Sequence, residues 1–415
     1  MIIIVEKKIG ILSYRFPPLN GRDADFCSSL FKNFDKLRIK SYVITSKLDF
    51  YENYIRDNKL HNKMIFRIRE FFIIKFLRRY KIFRVIFRHL LFPDQYVSWI
   101  LYSLIMGTHI IKKNKITHLF VMVPPASNLI LGYMLKKLTN IKLMIYLADL
   151  WTQNPYLNLK KRYYYFIAKH LERKILNETD LIFIASEKYI DILNNIKIDS
   201  SKIFFIPFGY DDSAFRNISP IQFKRFTILH AGTLYPGNYV NPIHFFQAIK
   251  LLLDERKDLS DKFQIIFCGK YPKYVEKLVK EMNLNNVQLL GFISKKSTIE
   301  LMISSDLNLV LLYPKKETEI IIPSKIYEYM RAKKPILGLV PINGICAKLI
   351  TQNKVGVVID PKKIKEIKDF LIKKINYFIK SKKLVEYPDN EIKKYERLNL
   401  TKRILYLIKK IEQKS

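Results

Sequence analysis

Short apolar runs, many of them β-branched, alternate along the chain with longer stretches whose apolar residues recur at helical spacing. Residues 9–14 form such a run, and residues 23–37 place Phe26, Leu30 and Phe34 four positions apart. Apolar runs without polar alternation are typical of strands buried on both faces, and intervening helices indicate that the strands pair in parallel. The pattern predicts an α/β fold with helices on both faces of a parallel sheet.

The alternation occurs twice. In the first half the predicted strands are residues 9–14, 41–45, 117–123, 143–147, 181–185 and 203–206. In the second half they are residues 227–230, 263–267, 287–290, 307–311, 336–339 and 356–359. We therefore predict two Rossmann-like, doubly wound α/β domains that face a common cleft, since open parallel sheets bind ligands beyond the carboxyl ends of their strands.

The predicted domain boundaries follow the turn-forming residues. Residues 207–226 contain two prolines, a glycine and two aspartates, which favour irregular structure. The expected organisation is a first domain at 1–210, a linker at 211–226, a second domain at 227–390 and a helix at 391–415 that returns to the first domain. A chain of 415 residues suits two domains, each with its own core.

Charge adds a possible partner. Lys and Arg number 73 against 37 Asp and Glu, a formal charge of +36. Such an excess attracts polyanions, anionic membranes or phosphorylated substrates, although AT-rich coding sequence would also enrich the chain in lysine. Both interpretations stay open.

The excess is concentrated at residues 59–90, with ten Lys or Arg and the single acid Glu70. In helical projection one face carries cations and the opposite face carries aromatic residues. The cations are Arg67, Arg78, Lys81, Arg84 and Arg88, and the aromatic residues are Phe72, Phe76, Tyr80, Phe83 and Phe87. A basic amphipathic helix is typical of membrane-surface binding, while a helix packed on its own sheet is the alternative. No nucleic-acid-binding module occurs, so we do not expect nucleic acid as a partner.

The location and metal content are also constrained. Cys27, Cys268 and Cys346 are too far apart for a metal motif, and an odd, unpatterned set favours a reducing cytosol. No apolar run of membrane-spanning length occurs, and the first residues lack a secretory cleavage site. We expect a cytoplasmic protein, peripheral on the cytoplasmic face of the membrane, with no metal site.

Specific strings then appear in the second half. They are ILHAGTLYPG at 228–237, IIFCGK at 265–270, NVQLLGFISKKSTIELMISSDLNLVLL at 286–312, IPSKIYEYMRAKKPILGL at 322–339 and KVGVVIDP at 354–361. The first half contributes SYRFPPLNG at 13–21, LADLWTQNPY at 147–156 and KIFFIPFGYDDSAF at 202–215. In order and spacing these strings resemble the GT-B glycosyltransferases of family 4, in particular a bacterial and archaeal surface-glycan subgroup.

That resemblance implies an activity. It implies transfer of a sugar, with retention, from a nucleotide-sugar to a glycan or lipid-linked acceptor in surface polysaccharide or lipopolysaccharide synthesis. No cofactor and no metal would be required, because cations and backbone amides would stabilise the departing diphosphate.

The second domain supplies most of the predicted site. Gly232 and Thr233 follow a strand, where a glycine turn lets backbone N–H groups approach phosphate. Lys325 and Glu328 share a helix face, and the resemblance implies that they hold pyrophosphate and ribose, respectively. Ser324 is a candidate helix cap and, like its neighbour Lys325, a candidate residue for binding the nucleotide-sugar. The alternatives are an ordinary turn and a surface ion pair.

Further candidates are less directly implied. Lys270, at the next strand end, is a possible phosphate cation. In the first domain Gly21 and Arg22 belong to a loop that would close over the donor phosphate. Asp149 ends a strand and would hold an acceptor or donor hydroxyl, or would be a structural turn. We expect Lys325 and Asp149 to be the catalytic residues.

The chain departs from the family at two places. Many members carry a second glutamate eight positions before the one at 328, where this chain has Ile320, with Glu319 beside it. Residues 235–238 (YPGN) stand where the family often has an Arg and a Lys. A sugar-nucleotide epimerase or phosphorylase of the same fold and a non-catalytic protein that binds membranes or polyanions remain as alternatives. The donor sugar, the base and the acceptor are not predicted.

Overall fold

The computed structural model describes residues 7–19, 21–47, 63–71, 76–77, 79–154, 163–234, 239–381 and 392–413. Within these residues the chain forms two compact units, of which unit 1 contains residues 1–208 and 397–415 and unit 2 contains residues 209–396. The residues predicted as a linker, 211–226, lie within unit 2. No helix in the described ranges combines the length and the apolar run that crossing a bilayer requires.

Unit 1 is built on a seven-stranded parallel sheet in the order β3-β2-β1-β4-β5-β6-β7. Its strands are β1 (Lys8–Leu12), β2 (Lys40–Ser46), β3 (Ile65–Ile68), β4 (His118–Val123), β5 (Lys142–Leu147), β6 (Leu181–Ile184) and β7 (Ile203–Phe205). Its helices are α1 (Arg22–Lys36), α2 (Lys81–Leu90), α3 (Ser98–Asn114), α4 (Ala126–Thr139), α5 (Tyr165–Asn177) and α6 (Tyr189–Asn195). The central strands β4 and β6 are wholly buried, and β5 is buried after its exposed first residue, Lys142, as their continuous apolar runs predict.

Unit 2 is built on a six-stranded parallel sheet in the order β10-β9-β8-β11-β12-β13. Its strands are β8 (Phe226–Ala231), β9 (Phe263–Cys268), β10 (Val287–Gly291), β11 (Leu307–Leu311), β12 (Ile336–Leu339) and β13 (Gly356–Ile359). Its helices are α7 (Ile243–Glu255), α8 (Lys273–Glu281), α9 (Lys295–Ser304), α10 (Lys325–Arg331), α11 (Ile345–Gln352) and α12 (Ile364–Ser381). The sheet order reverses between β8 and β11, which is the position where open sheets of this kind bind ligands.

The last helix, α13 (Arg397–Glu412), belongs to unit 1 and packs against α1. Its first residue, Arg397, is buried and donates hydrogen bonds to the carbonyl oxygens of Phe208 (3.1 Å) and Asp25 (3.2 Å). The guanidinium also lies over the ring of Phe26, 5.9 Å from its centroid. Unit 1 is therefore completed by residues that follow the whole of unit 2 in the sequence.

The basic segment at 59–90 differs from the prediction. A single amphipathic helix is wrong, because the segment contains strand β3, whose Arg67 lies opposite Thr45 of β2, and only then helix α2. Apolar residues with strong strand propensity at Ile65, Phe66 and Ile68 favour pairing at the sheet edge. Arg67 donates to the Pro17 carbonyl oxygen and is not part of a helical face.

The rest of that predicted face cannot be placed. Arg78 and the side chains of Lys81, Arg84 and Arg88 lie outside the part of the chain that the structure describes, as does Phe72. Membrane binding by these cations therefore stays a prediction.

Strands β12 and β13 approach each other closely at Gly356. It lies opposite Ile336, and a Cβ at this position would fall 1.9 Å from the Ile336 carbonyl oxygen, which belongs to the backbone and cannot turn aside. We expect Gly356→Ala to lower the free energy of unfolding by about 2 kcal/mol or more, measured by urea denaturation. The matched control is Gly107→Ala, where the new methyl meets the movable ends of side chains, Leu135 at 3.2 Å and Ile44 at 3.9 Å. Equal effects at the two positions would contradict this account.

Candidate active site

Glycine turns at the carboxyl ends of neighbouring strands form the floor of the candidate site in unit 2. After β8, Gly232 has φ +149° and donates its N–H to the Cys268 carbonyl oxygen at 2.7 Å. After β9, Gly269 has φ +128° and donates to the Gly291 carbonyl oxygen at 2.7 Å. A Cβ on Gly269 would lie 2.4 Å from the Gly232 carbonyl oxygen, so the close approach of these turns requires glycine.

Lys325, the first residue of α10, reaches across to the Gly232 turn. Its Nζ lies 2.8 Å from the position that a Cβ of Gly232 would occupy. The same Nζ lies 2.9 Å from Nε2 of His230, the penultimate residue of β8. The structure therefore brings together Gly232 and Lys325, which the sequence predicts as parts of one site.

His230 orients the Lys325 ammonium. Its Nδ1 lies 3.0 Å from the Leu309 carbonyl oxygen, which can only accept, so the ring proton resides on Nδ1. The lone pair of Nε2 then accepts a hydrogen bond from the lysine. Burial, together with the charge of Lys325, lowers the pKa of His230 well below its usual value, and the ring is neutral at pH 7.

The lysine itself is half-buried and desolvated. Burial lowers the pKa of Lys325 to about 7, so the ammonium and the free amine are both populated near neutrality. Among the described residues no carboxylate contributes to this shift. The nearby thiols of Cys268 and Cys346 are neutral near pH 7, because burial raises their pKa to about 11 and about 12. An anion that binds next to Nζ would therefore strongly favour the charged form.

Glu328 lies one turn further along α10 and forms an ion pair with Lys295, the first residue of α9. The carboxylate is largely buried, whereas Lys295 is partly exposed. Tyr329, the next residue, accepts a hydrogen bond from the Ala231 N–H at 2.7 Å and so ties α10 to the end of β8. This contact holds the start of α10 beside the glycine turn.

The other predicted residues of unit 2 are placed as follows. Thr233 is half-buried directly after Gly232, and Lys270 is exposed after Gly269, with its carbonyl oxygen accepting from the Leu234 N–H at 2.8 Å. Ser324 occupies the N-cap position of α10, but its hydroxyl makes no capping hydrogen bond, so that predicted cap is wrong. Ser324 has helical backbone angles, which differ from the extended conformation of a capping serine.

Of the two positions at which the chain departs from the family pattern, the structure describes residues 319–320. Glu319 and Ile320 follow a short 3-10 turn, Lys316–Thr318, and the Glu319 carbonyl oxygen accepts from the Ile345 N–H at 2.8 Å. Residues 235–238 lie outside the described residues. Within the described ranges, no group of three or more His, Cys, Asp and Glu is arranged to hold a metal ion.

The predicted residues of unit 1 also come together. Arg22, at the start of α1, donates to the Asp149 carboxylate at 2.7 Å, and its guanidinium lies over the Phe208 ring, 4.6 Å from the centroid. Gly21 precedes it with φ +152° and accepts from the Asp25 N–H at 2.9 Å. Burial alone would lower the pKa of Arg22, but the carboxylates of Asp149 and Asp23 outweigh it and the pKa rises.

The sequence did not reveal two residues of the candidate site, His230 and Lys295. His230 lies inside a strand, where a histidine is usually part of the core, and only the structure shows its contact with Lys325. Lys295 precedes Glu328 by 33 positions, so no local spacing links them. The one available signal was the Lys295-Lys296 pair just after a strand end.

Comparison with known proteins gives a family match over part of the chain. Residues 211–411 match the family described as "Glycosyl transferases group 1". The matched range contains Gly232, Lys325 and Glu328 together with His230 and Lys295. No curated protein sequence matches the chain.

Solved structures match over both units. The Anabaena protein Alr3699/HepE, in complex with UDP and glucose, is 14% identical, with a TM-score of 0.63 over 97% of this chain and 100% of that one. Sucrose-phosphate synthase from Thermosynechococcus elongatus is 12% identical, with a TM-score of 0.67 over 99% and 100%. The lipopolysaccharide outer core galactosyltransferase WaaB is 12% identical, with a TM-score of 0.60 over 97% and 99%. The predicted fold, two Rossmann-like α/β domains of the GT-B type, is confirmed.

The buried ammonium of Lys325 should lower the stability of the folded protein. Its pKa is lower in the folded than in the unfolded protein, so the unfolded state binds more protons between pH 7 and the ordinary lysine pKa. The contribution of Lys325 to stability therefore rises with pH across this window. We expect Lys325→Met to raise the free energy of unfolding at pH 7 by at least about 1 kcal/mol, because it removes the buried charge.

Thermal melts of both proteins from pH 7 to pH 9 measure this effect. The gain should shrink as the pH rises and Lys325 loses its proton. Lys262→Met, at an exposed surface ion pair with Asp261, is the control, for which we expect a change within about 0.5 kcal/mol. A Lys325→Met protein that melts below the wild type at pH 7 would overturn the account.

Proposed function

We propose that the protein is a glycosyltransferase that takes its sugar from a nucleoside diphosphate sugar. The observation that carries the proposal is the Lys325 ammonium, held by neutral His230 directly above the Gly232 turn, with Glu328 one helical turn away. The group 1 match over residues 211–411 supports the assignment.

The diphosphate would bind at the Gly232 turn. A phosphate oxygen there would meet the ammonium of Lys325, to which no described carboxylate is paired, and the backbone N–H of Thr233. The N–H groups of Gly232 and Leu234 already donate to the carbonyl oxygens of Cys268 and Lys270. As the sugar leaves, negative charge grows on the diphosphate, and an ammonium already in position stabilises it without reorganisation. Lys270, at the adjacent strand end, would contribute a second, more exposed cation.

The ribose would bind at Glu328. An ionised carboxylate accepts hydrogen bonds from two neighbouring hydroxyls. In the free protein this carboxylate forms an ion pair with Lys295. Binding would turn the lysine toward the diphosphate, so that the cation is retained in the site rather than lost.

The nature of the donor and the stereochemistry are the finer parts of the proposal. The similar structures of Alr3699/HepE hold UDP, in one case together with glucose, so a UDP-sugar is the first donor to test. We propose transfer with retention, in which the bond from the anomeric carbon to the diphosphate breaks. The acceptor oxygen bonds on the same face, and its proton passes to the departing phosphate oxygen. Ammonium groups rather than a metal ion would balance the charge, so we expect activity to persist in EDTA.

Unit 1 would serve the acceptor. Asp149 lies just after the carboxyl end of β5, and its carboxylate accepts a hydrogen bond from Arg22, which fixes its direction. Such a carboxylate can accept a hydrogen bond from an acceptor hydroxyl and position it. We propose a glycan or lipid-linked acceptor in surface polysaccharide or lipopolysaccharide synthesis, with the protein at the cytoplasmic face of an anionic membrane.

A product assay separates this function from its alternatives. Incubation with a UDP-sugar and an acceptor extract should yield a glycosylated product, with release of UDP that depends on the acceptor. An epimerase would convert the sugar without any acceptor, and a phosphorylase would require inorganic phosphate. A non-catalytic binding protein would leave the nucleotide-sugar unchanged.

The ribose contact is tested by Glu328→Gln. The amide keeps the shape but loses one acceptor and the charge, so we expect UDP affinity to fall about 10- to 100-fold, measured by thermal shift and calorimetry. Glu276→Gln, on an exposed position of α8, removes the same charge away from the site and should bind UDP as the wild type does. Unchanged affinity in Glu328→Gln would reject Glu328 as the ribose contact.

The contact between Lys325 and the diphosphate can be detected as proton uptake on binding. Because the pKa of Lys325 is about 7, a UDP-sugar bound next to it should raise that pKa. Binding at pH 8 should then take up close to one proton, and affinity should fall as the pH rises above 7. Calorimetry in two buffers of different ionisation enthalpy measures the uptake.

Lys325→Arg is the control for proton uptake. Arginine stays charged at this pH, so the variant should bind without taking up a proton. Equal uptake by the variant and the wild type would place the titrating group elsewhere.

A further inference from the structure

Helix α3 presents an exposed apolar face at its beginning. Leu101 and Ile105 are each 63% exposed, and Tyr102 and Met106 lie beside them on the next positions of the same face. Further along this face the exposed residues become His109, Lys112 and Lys113. The opposite face packs on α4, where Gly107 meets Leu135. The helix is thus apolar on the outside at its beginning and basic on the outside at its end.

Helix α5 and the residues just before it repeat this arrangement. Tyr163 is 73% exposed, Phe166 is 80% exposed and Ile167 is 62% exposed. The exposed positions that follow are Lys169, His170, Arg173 and Lys174. Large aromatic side chains at this exposure are uncommon on a surface that meets only water.

The two helices belong to one layer. Each connects the carboxyl end of one parallel strand to the amino end of another, so both begin at the same edge of the sheet. Helix α3 packs against α4, and α4 contacts α5, which places all three on one face. The exposed apolar residues of α3 and α5, here called the apolar edge, therefore lie along the carboxyl-end edge of the sheet.

Helix α2 extends the apolar edge. Tyr163 donates a hydrogen bond to the carbonyl oxygen of Leu90, the last residue of α2, at 2.9 Å. Leu90 is 61% exposed, and Ile82 and Val85 are exposed on the same helix. The apolar surface thus continues from α5 onto α2.

Charge identifies the partner. Helices α2, α3 and α4 contain no Asp or Glu, and the one acid of α5, Glu172, is buried against Thr152 and the backbone of Trp151. Exposed charge on α3 and α5 is therefore entirely positive. Apolar and aromatic side chains bordered by cations, with no acid among them, suit the interface of an anionic lipid bilayer.

We propose that the apolar edge inserts into the interface of an anionic bilayer, with Lys112, Lys113, Lys169, Arg173 and Lys174 contacting the lipid phosphates. This surface differs from the cationic face predicted within residues 59–90. The inference deepens the proposed function, because Asp149 lies at the same strand-end edge and would stand near the bilayer surface, where a lipid-linked acceptor is held.

Vesicle sedimentation tests the surface. The full-length protein should bind vesicles of equal parts phosphatidylglycerol and phosphatidylcholine, and bind vesicles of phosphatidylcholine alone weakly. Leu101→Glu combined with Ile105→Glu should reduce binding to the mixed vesicles roughly tenfold or more, because two inserted side chains are lost. The double variant Tyr377→Glu with Ile379→Glu, at exposed positions of α12, changes the net charge equally and should bind as the wild type does.

Three outcomes would overturn the proposal. The first is equal binding by the two double variants, which would show that net charge alone governs attachment. The second is equal binding to vesicles with and without phosphatidylglycerol. The third is a wild-type dimer in ultracentrifugation that Leu101→Glu with Ile105→Glu converts to a monomer, because the edge would then be a contact between copies.

The result is separable from that for the donor site. The Leu101→Glu, Ile105→Glu protein should retain the wild-type thermal shift with UDP, which also shows that it folds. Loss of UDP binding by Glu328→Gln with unchanged vesicle binding would support both sites independently. Vesicle binding without any UDP binding by the wild type would leave the membrane surface intact and reject the proposed transferase.

Discussion

The candidate donor site depends on one contact, that of the Lys325 ammonium with Nε2 of His230. The contact is possible because three separate constraints agree: the Leu309 carbonyl oxygen sets the tautomer, burial keeps the ring neutral, and Gly232 leaves room for the lysine. A charged histidine would repel the lysine, and any side chain at position 232 would displace it. Burying the Lys325 ammonium here costs free energy, and a bound anion would offset that cost. The site therefore favours an anionic ligand.

Glycine turns connect this contact to the fold. The Gly232 and Gly269 turns are stacked at the ends of adjacent strands, and Tyr329 joins α10 to the same strand end. These contacts are made within the backbone and among buried groups. The side chains of Lys325, Glu328 and Lys295 are half-buried, so their ends can adjust when a ligand arrives. The two charged pairs, Lys295 with Glu328 and Arg22 with Asp149, already have their partners in the free protein.

Much of the fold could be predicted because buried parallel strands leave a strong local signal. Residues 307–311, 336–339 and 356–359 were predicted as strands and are strands with the same bounds. Strand β3 was missed, since its four residues lie among cations and the whole segment fits a helical projection equally well. At the site, the spacing of Lys325 and Glu328 could be predicted because both are on one helix. The roles of His230 and Lys295 could not, because they depend on contacts between residues far apart in the sequence.

The place of α13 has a consequence for biosynthesis. Its residue Arg397 holds the backbone of Phe208 and Asp25, and its helix packs on α1, yet it emerges from the ribosome after all of unit 2. A nascent chain therefore carries an unfinished first unit, with the α1 surface uncovered, while the second unit is being translated. Unit 2, whose residues are contiguous, can fold first, although its sequence comes later. Assembly would run against the order of synthesis, and molecules truncated near the carboxyl terminus would expose the core of their amino-terminal half.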